Sequence, residues 1–249
     1  MEPMLIAVIP ARGGSKGVLN KNLRHIGTLS LVQISANFAL TCKAIDKVFV
    51  STDSTEIAKE FLQHHEETLF ENLKEGRSIP LSEKLYLHKR KKSQAQDNSK
   101  TVETVMDIIE NERIDLNDLI LLLQPTSPFR EQIELNKIIE LMIMRNADSC
   151  VSAKLFDSPH PAKAFKLGPE MILNTSEYEK LSSPRQELDS YFVLDGSFYL
   201  TKVSAILQNK SLLAPTAAIY LRSGLRTINI DNEDDMKIAS IIASSNLSS

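Results

Sequence analysis

Short apolar runs alternate along the chain with segments whose apolar residues recur at helical spacing. Residues 4–9, 48–50 and 119–123 are apolar runs of strand length, whereas Leu31, Ile34 and Phe38 keep the spacing of one helix face. The first run is closed by a proline and two glycines, which is typical of a strand buried on both faces of a parallel sheet. The opening of the chain therefore predicts strand, helix, strand.

The same alternation continues to the end of the chain. It predicts further helices over 102–109, 131–145, 203–208 and from about 232, and further strands over 149–153, 197–200 and 217–221. Asp53, with Glu56 three residues on, is predicted to cap the helix that follows the second strand. Such alternation predicts one α/β domain over residues 1–249, a mostly parallel sheet covered by helices.

Two stretches interrupt this pattern. Residues 65–96 have no steady period and carry the basic run 89–92, so we expect an irregular insertion there. Residues 155–195 contain several prolines between short apolar pieces and are predicted to form an excursion from the core. An arm of this size cannot bury its own apolar side chains, so we expect it to pack on a second copy of the chain.

Composition narrows the class of partner. The formal charge is -3, with 42% hydrophobic and 24% charged residues, which does not favour a nucleic-acid surface. No apolar run approaches the roughly 20 residues that cross a membrane, and the N-terminus lacks a secretory pattern. Two cysteines are too few for a disulfide framework. We therefore expect a cytoplasmic protein that acts on small molecules.

The loop after the first strand is the strongest candidate for chemistry. Gly13 and Gly14 allow backbone amides to approach phosphate oxygens, and Arg12, Lys16 and Lys21 can neutralise a triphosphate. The spacing is neither that of a P-loop nor that of a dinucleotide-binding turn. A glycine turn with solvated lysines is the alternative.

Four blocks in order, at residues 9–17, 21–22, 50–54 and 123–130, resemble the acylneuraminate cytidylyltransferases, the CMP-sialic acid synthetases. The resemblance implies a Rossmann-like fold of the nucleotide-diphospho-sugar transferase type. It implies attack by the anomeric hydroxyl of a 2-keto acid sugar on the α-phosphate of CTP, which gives a CMP-sugar and pyrophosphate. The implied cofactor is Mg²⁺ or Mn²⁺, and the implied assembly is a homodimer with shared sites.

The resemblance also assigns roles to individual residues. Arg12, Lys21 and Asp231 are expected to be catalytic. The expected nucleotide-binding residues are Arg12, Gly13, Gly14, Ser15, Asn22, Arg90 and Asp97. Arg90 and Asp97 keep the spacing of a family block that lies against the cytidine, although its usual proline is missing. Lys91 and Lys92, in the same block, have a solvated basic patch as their alternative.

The sugar is expected to contact Gln124, Lys163, Arg185 and Tyr199. An arginine fork suits the carboxylate that a 2-keto acid carries. The family has asparagine where this chain has Asp195. That change keeps a pseudaminic, legionaminic or octulosonic acid open as the substrate in place of sialic acid.

The family's Asp-x-Asp metal pair reads Asn229 and Asp231 here. Alternate residues of a strand point to one side, so both are expected to face the metal ion. Asp231 has an alternative role as the N-cap of the last helix. The loss of one carboxylate leaves a non-catalytic nucleotide or sugar binder as the rival to the enzyme.

Overall fold

The structure is a computed structural model that describes residues 3–15, 17–63, 66–96, 99–156, 160–165 and 181–245. An eight-stranded sheet forms the centre of the described chain. Its strands are β1 Leu5–Pro10, β4 Lys47–Thr52, β5 Ser78–Pro80, β6 Leu85–Lys89, β7 Leu119–Leu122, β8 Ser149–Leu155, β9 Phe192–Lys202 and β10 Ala217–Arg222. A small hairpin, β2 His25–Ile26 with β3 Leu29–Ser30, stands apart.

Helices lie on both faces of the sheet. They are α1 Leu31–Thr41, α2 Thr55–Lys59, α3 Glu67–Asn72, α4 Thr101–Asn111, α5 Gln132–Met144, α6 Val203–Asn209 and α7 Glu233–Ser244. Helices α1, α2, α3 and α5 pack on one face, and α4 with α6 packs on the other. None of the helices in the described ranges is long and apolar enough to cross a membrane.

The strand order β10-β8-β9-β7-β1-β4-β6-β5 determines where a ligand can bind. Strand β1 lies between β4 and β7 and is parallel to both. The strand order therefore reverses at β1, with β4 on one side of it and β7 on the other. Such a reversal opens a crevice at the carboxyl ends of these strands. Strand β9 is antiparallel to both β7 and β8, so the sheet is mostly parallel.

Our expectation that residues 65–96 form an irregular insertion is wrong. Strand β6 from this stretch pairs in parallel with β4, and Val50 lies opposite Leu87. Strand β5 then pairs antiparallel with β6 at the sheet edge. Leu87 is buried in the core, but the apolar part of β6 ends after three residues, before His88 and Lys89, so the sequence pattern does not distinguish it from a loop.

The predicted arm over 155–195 begins where β8 and β9 continue as a two-stranded ribbon. Ala153 pairs with Leu194 and Leu155 with Phe192, after a register shift between Val151 and Ala153. The ribbon exposes large apolar side chains: Leu155, Phe156, Tyr191, Phe192, Val193 and Leu194. Residues 157–159 and 166–180 of the arm lie outside the described residues.

Candidate active site

A cleft of ≈ 340 Å³ opens at the carboxyl ends of β1, β6 and β7. The cleft is lined by the three polar segments that follow these strands and by two residues from near the C-terminus. The lining residues are Pro10, Arg12, Ser15, Lys21, Asn22, Arg90, Gln96, Ser99, Thr101, Gln124, Pro125, Thr126, Asn229 and Asp231. The structure therefore gathers most of the predicted nucleotide and metal residues around one space.

The glycine-rich loop, residues 11–22, is closed by its own side chains. The Ser15 hydroxyl donates to the carbonyl of Val18 over 2.6 Å and accepts from the backbone N–H of Lys21 over 2.7 Å. The buried Asn22 amide donates to the carbonyl of Arg12 over 2.9 Å. Because these bonds hold the described part of the loop in one conformation, its backbone amides are preorganised.

The loop also docks on the segment that carries the predicted metal residues. A Cβ on Gly17 would lie 2.4 Å from the backbone carbonyl of Asp231, so only glycine permits this approach. The Lys21 ammonium donates to the carbonyl of Ile230 over 2.7 Å and lies 3.4 Å from the Asp231 carboxylate. Lys21 thus places one fixed positive charge beside the predicted metal ligand.

Asp53 has a different role from the helix cap that we expected. Ser54 is the N-cap of α2, and its hydroxyl accepts from the backbone N–H of Ile57. The Asp53 carboxylate instead accepts from the backbone N–H of Gly13 over 2.9 Å. The Asp53 carboxylate therefore anchors the glycine-rich loop to the end of β4.

Arg90 lies at the other end of the cleft and is 5% exposed. Its Nε has no hydrogen-bond partner among the described residues. Burial lowers the pKa of Arg90, as does the nearby Arg12 cation, while Asp53 opposes the shift. An arginine that is buried, cationic and not fully bonded is suited to hydrogen-bond the acceptors of a nucleotide.

The 90–96 loop closes this end of the cleft. Arg90 donates from Nη2 to the carbonyl of Gln94, and Arg12 donates from Nη1 to the carbonyl of Ala95 over 3.3 Å. The two polar loops are therefore joined across the cleft. Asp97 lies outside the described residues, so its predicted contact with the nucleotide stays a prediction.

Three further residues, which our sequence analysis did not select, line this end: Gln96, Ser99 and Thr101. Thr101 is the first residue of α4, whose N-terminus no described side chain caps. Unpaired N–H groups at a helix N-terminus attract anions. The sequence pattern could have identified them, because polar residues immediately before a helix that follows a parallel strand lie at the ligand-binding edge of the sheet.

Gln124 lines the cleft at the end of β7, as expected. A Cβ on Gly196, which has φ +78, would lie 2.8 Å from the Gln124 side-chain oxygen and 2.7 Å from the Ser127 hydroxyl. Arg130 then donates to the carbonyl of Gln124 over 2.6 Å and to that of Ser197 over 2.7 Å. Gly196 and Arg130 thus fix the turn that presents Gln124.

Asp195 does not present its charge to the cleft. It is 1% exposed, and its carboxylate accepts from the Arg222 guanidinium over 2.8 Å and from the Ser152 hydroxyl. Burial acts to raise the pKa of Asp195, but the hydrogen bonds from Ser152 and Arg222 outweigh it and hold the pKa below its ordinary value. Arg222 also pairs with Glu134 over 2.7 Å. The aspartate is therefore buried in an ion pair with Arg222 and is not among the residues that line the cleft.

Asp231 is not the N-cap of the last helix. Asn232 caps α7 by accepting from the backbone N–H groups of Asp234 and Asp235, both over 2.9 Å. The Asp231 side chain stays 69% exposed in the cleft. Asn229 donates from its amide nitrogen to Asp231 over 3.0 Å, and its oxygen accepts from Ser127. Asn229 therefore orients the carboxylate and turns its own oxygen away from it.

Of the remaining predicted sugar residues, Lys163 and Tyr199 are not among those that line the cleft of this single chain. The Lys163 ammonium donates to the carbonyls of Leu181 and Ser183, over 2.7 Å and 2.6 Å, within the arm. Arg185 begins a short 3-10 helix in the same arm. Tyr199 lies half-buried on β9 against the α4 side of the core. Their contacts with a sugar stay predictions.

A Ser-His-Asp arrangement that the sequence did not reveal lies beneath the cleft. The Ser51 hydroxyl is 2.9 Å from His88 Nδ1, and His88 Nε2 is 3.6 Å from the Asp107 carboxylate. All three side chains are buried, so no substrate reaches the hydroxyl. Burial, reinforced by the Arg90 and Lys91 cations, lowers the pKa of His88 to about 4 against the opposing Asp107 charge.

The sheet order, the preorganised glycine loop and the cationic cleft define a nucleotidyltransferase of the Rossmann-like α/β class. A family model described as Cytidylyltransferase matches residues 6–75. The CMP-N,N'-diacetyllegionaminic acid synthase of Legionella pneumophila is 30% identical over 242 residues, which cover 93% of this chain and 92% of the relative. The chain belongs to this cytidylyltransferase family, which we anticipated from the four sequence blocks.

A second relative and a solved structure agree with this placement. The pseudaminic acid cytidylyltransferase of Campylobacter jejuni is 23% identical over 239 residues, 95% of each chain. The structure of CMP:2-keto-3-deoxy-manno-octonic acid synthetase complexed with CTP superposes with a TM-score of 0.63 at 15% identity. That superposition covers 98% of this chain and 100% of the other. The predicted fold class is confirmed.

Proposed function

We propose that this protein transfers CMP from CTP to the anomeric hydroxyl of a 2-keto acid sugar and releases pyrophosphate. The observation that carries the proposal is the single cleft in which the glycine-rich loop, Arg90, Gln124 and Asp231 meet. A cationic, preorganised loop suits the triphosphate, and an amide at a strand end suits sugar hydroxyls. The names of the two relatives support a nonulosonic acid as the sugar.

Charge in the cleft is arranged along the path of the triphosphate. Arg12 and Lys21 line it from the glycine-rich loop, and Arg90 lines it from the 90–96 loop. Fixed cations of this kind stabilise negative charge that develops on a phosphoryl group and on its leaving group. In the proposed reaction Arg12 and Lys21 hold the phosphates, while Arg90 orients the nucleoside.

We also propose that Mg²⁺ or Mn²⁺ is the cofactor and that Asp231 is its protein ligand. Among the described residues, no group of three or more histidines, cysteines or acids is placed to hold a metal. A single exposed carboxylate fits Mg²⁺, which is commonly held by one or two carboxylates plus substrate phosphates. When bound, the ion would neutralise phosphate charge. Asn229 would hold the carboxylate in place.

A magnesium titration of wild type and three variants tests this proposal. Asp231→Ala is expected to lose nearly all turnover, and Asn229→Asp is expected to lower the magnesium concentration that gives half-maximal activity. Asp234→Asn is the matched control, because Asp234 is an acid of the first turn of α7 that pairs with Lys237 away from the cleft. Wild-type activity of Asp231→Ala at every magnesium concentration would remove Asp231 from the metal site.

We further propose a homodimer that forms through an apolar face at the sheet edge. Ala153, Phe192, Val193, Leu194, Ile219 and Leu221 line a shallow apolar depression there. Ile219 is 45% exposed and Leu221 56% exposed, on the side of β10 opposite α5. Contiguous apolar surface of this kind marks a protein interface. The same ribbon leads into the arm that carries Lys163 and Arg185, so a partner could bring these cations to the cleft.

The substrate is tested by measuring pyrophosphate release. The purified protein is incubated with CTP, Mg²⁺ and each of N-acetylneuraminic, legionaminic, pseudaminic and 3-deoxy-octulosonic acids. We expect release with a nonulosonic acid, with CTP strongly preferred over ATP because a purine would leave buried polar groups unpaired. Equal turnover of ATP and CTP would contradict the assignment of Arg90 to cytosine. We place this reaction in the cytoplasm, where the two buried thiols, Cys42 and Cys150, stay reduced.

A further inference from the structure

Asp107 forms a buried polar cluster directly behind the 90–96 loop. It lies on α4, and its side chain is 3% exposed. The carboxylate accepts from the Lys91 ammonium and, over 3.0 Å, from the amide of Asn111. Its other oxygen lies 3.6 Å from His88 Nε2. A buried carboxylate is costly unless it is paired, and here Lys91 supplies the full positive charge.

The packing around this pair leaves it little freedom. A Cβ on Gly76 would lie 3.1 Å from the Asp107 carboxylate and 3.1 Å from Cε of Lys91. The backbone N–H of Gly76 donates to the carbonyl of Lys89 over 2.7 Å. The Lys91 side chain therefore lies between α4 and the turn at Gly76 and is 41% exposed, whereas the Asp107 side chain that it pairs with is buried.

Lys91 is adjacent in sequence to the arginine that lines the cleft. The backbone N–H of Arg90 donates to the carbonyl of Thr52 over 2.8 Å, which fixes the loop where it leaves the sheet. One residue later, the Lys91–Asp107 pair fixes it to α4. These two attachments fix the backbone on both sides of Arg90, whose guanidinium donates to the carbonyl of Gln94 in the same loop.

We propose that Asp107 is a positioning residue for the nucleotide, which acts through Lys91 to fix the 90–96 loop against the base of CTP. The proposal rests on the proposed function. Ion pairs, exposed or buried, often add little net stability, and fixing a particular geometry is one role that such pairs have in proteins. We therefore explain the Lys91–Asp107 pair by the position that it fixes for Arg90, rather than by stability alone.

The test compares two neighbouring lysines of the same loop. Lys91→Ala removes the charge that pairs with Asp107, and Lys92→Ala removes an exposed charge at the next position. We expect Lys91→Ala to raise the KM for CTP and the calorimetric Kd for CTP about tenfold, because small displacements of a binding group are costly. The KM for the sugar and kcat should change less than about threefold, and Lys92→Ala should bind CTP within about twofold of wild type.

A second variant protects the test against simple misfolding. Asp107→Asn keeps the shape of the side chain but removes its charge, and it should raise the KM for CTP by the same factor. The double variant should be no worse than the poorer single variant, because both changes break one interaction. Melting temperatures measured alongside separate folding from binding.

Three results are decisive. An equal rise in KM for Lys91→Ala and Lys92→Ala would show that only general charge matters, and the proposal would be wrong. A lower melting temperature with unchanged CTP affinity would make the pair purely structural, which also overturns it. Failure of the wild-type protein to bind CTP would instead overturn the proposed function, so the two failures are distinguishable.

Discussion

At the scale of single residues, the site depends on charges that are already held in place. Lys21 is bonded to the carbonyl of Ile230, and Asp53 holds the backbone of Gly13. These partners could not be predicted from sequence, since they lie far apart along the chain and only the fold brings them together. The identities of Arg12, Lys21 and Asp231 as cleft residues could be predicted from the sequence blocks.

Removal of the Arg12 charge should impair catalysis more than binding of the sugar. We expect Arg12→Ala to lower kcat/KM about 10²-fold, by comparison with the loss of one donor to a developing oxyanion. Steady-state pyrophosphate release measures this. Lys137→Ala, which removes an exposed cation from α5, is the matched control and should stay near wild type. Near-normal turnover of Arg12→Ala would remove Arg12 from the mechanism.

His88 predicts a dependence of stability on pH. Its pKa is about 4 in the folded protein, below the ordinary value of 6.5, because it is buried near Arg90 and Lys91. The unfolded chain therefore binds the extra proton first as the pH falls. His88 contributes stability that is complete above pH 6.5 and is lost as the pH falls toward 4, by up to about 3 kcal/mol.

Urea unfolding of wild type and His88→Gln between pH 7.5 and 4.5 checks this expectation. Glutamine removes the titrating group, so the free energy of unfolding of the variant should fall less steeply with acid than that of wild type. The variant is expected to be less stable near pH 7 because the hydrogen bond to Ser51 is changed. Parallel curves for the two proteins would show that His88 does not titrate in this way.

At the scale of elements, the sequence predicted the alternation well where apolar runs were long. Strands β1 and β7 and helices α1 and α5 were found within a few residues of their bounds. Strand β6 was missed because its apolar residues are followed at once by His88 and Lys89, whereas the four residues of β7 are all apolar. The antiparallel pairing of β9 could not be predicted either, since it depends on how the arm returns to the sheet.

The docking of the glycine-rich loop on the 229–231 segment predicts the effect of one methyl group. In Gly17→Ala the new Cβ would fall 2.4 Å from the carbonyl of Asp231, so the loop or the segment must move. We expect kcat/KM to fall by about 10- to 100-fold, since a displacement of about 1 Å at a reacting group is costly. Steady-state kinetics with purified protein measures the loss.

Gly27→Ala is the control for this change. Gly27 has φ +64 in the β2–β3 hairpin, and a Cβ there would meet nothing within 4 Å. The control should therefore lower the melting temperature through backbone strain but leave kcat/KM of the folded protein near wild type. If both variants lose activity equally, the close approach of Gly17 to Asp231 is not what the site requires.

At the scale of the whole molecule, the apolar face beside the arm predicts the oligomeric state. Leu221→Lys places a charge in the middle of the depression that Phe192 and Ile219 also line. We expect wild type to be a dimer and this variant a monomer in light scattering at micromolar concentration. Ile241→Lys, at a comparably exposed apolar residue on α7, should stay dimeric. A monomeric, fully active wild type would contradict the shared site.

Mixing of inactive chains tests whether the sites are shared. A chain with Arg12→Ala and a chain with Lys163→Ala are combined in equal amounts and allowed to exchange partners. If Lys163 serves the partner's cleft, random pairing leaves about a quarter of the sites with both native residues. Activity should then reappear in the mixture. No recovery would place Lys163 with the cleft of its own chain or outside the reaction.

The most direct test of the central claim is identification of the product. Unlabelled CTP is incubated with Mg²⁺, the protein and a nonulosonic acid, and the reaction is followed by ³¹P NMR, which detects all three phosphorus atoms of CTP. The account predicts a new phosphodiester signal for the CMP-sugar and an equal amount of pyrophosphate. Unchanged CTP with every acid sugar, or release of inorganic phosphate alone, would contradict cytidylyl transfer by this cleft.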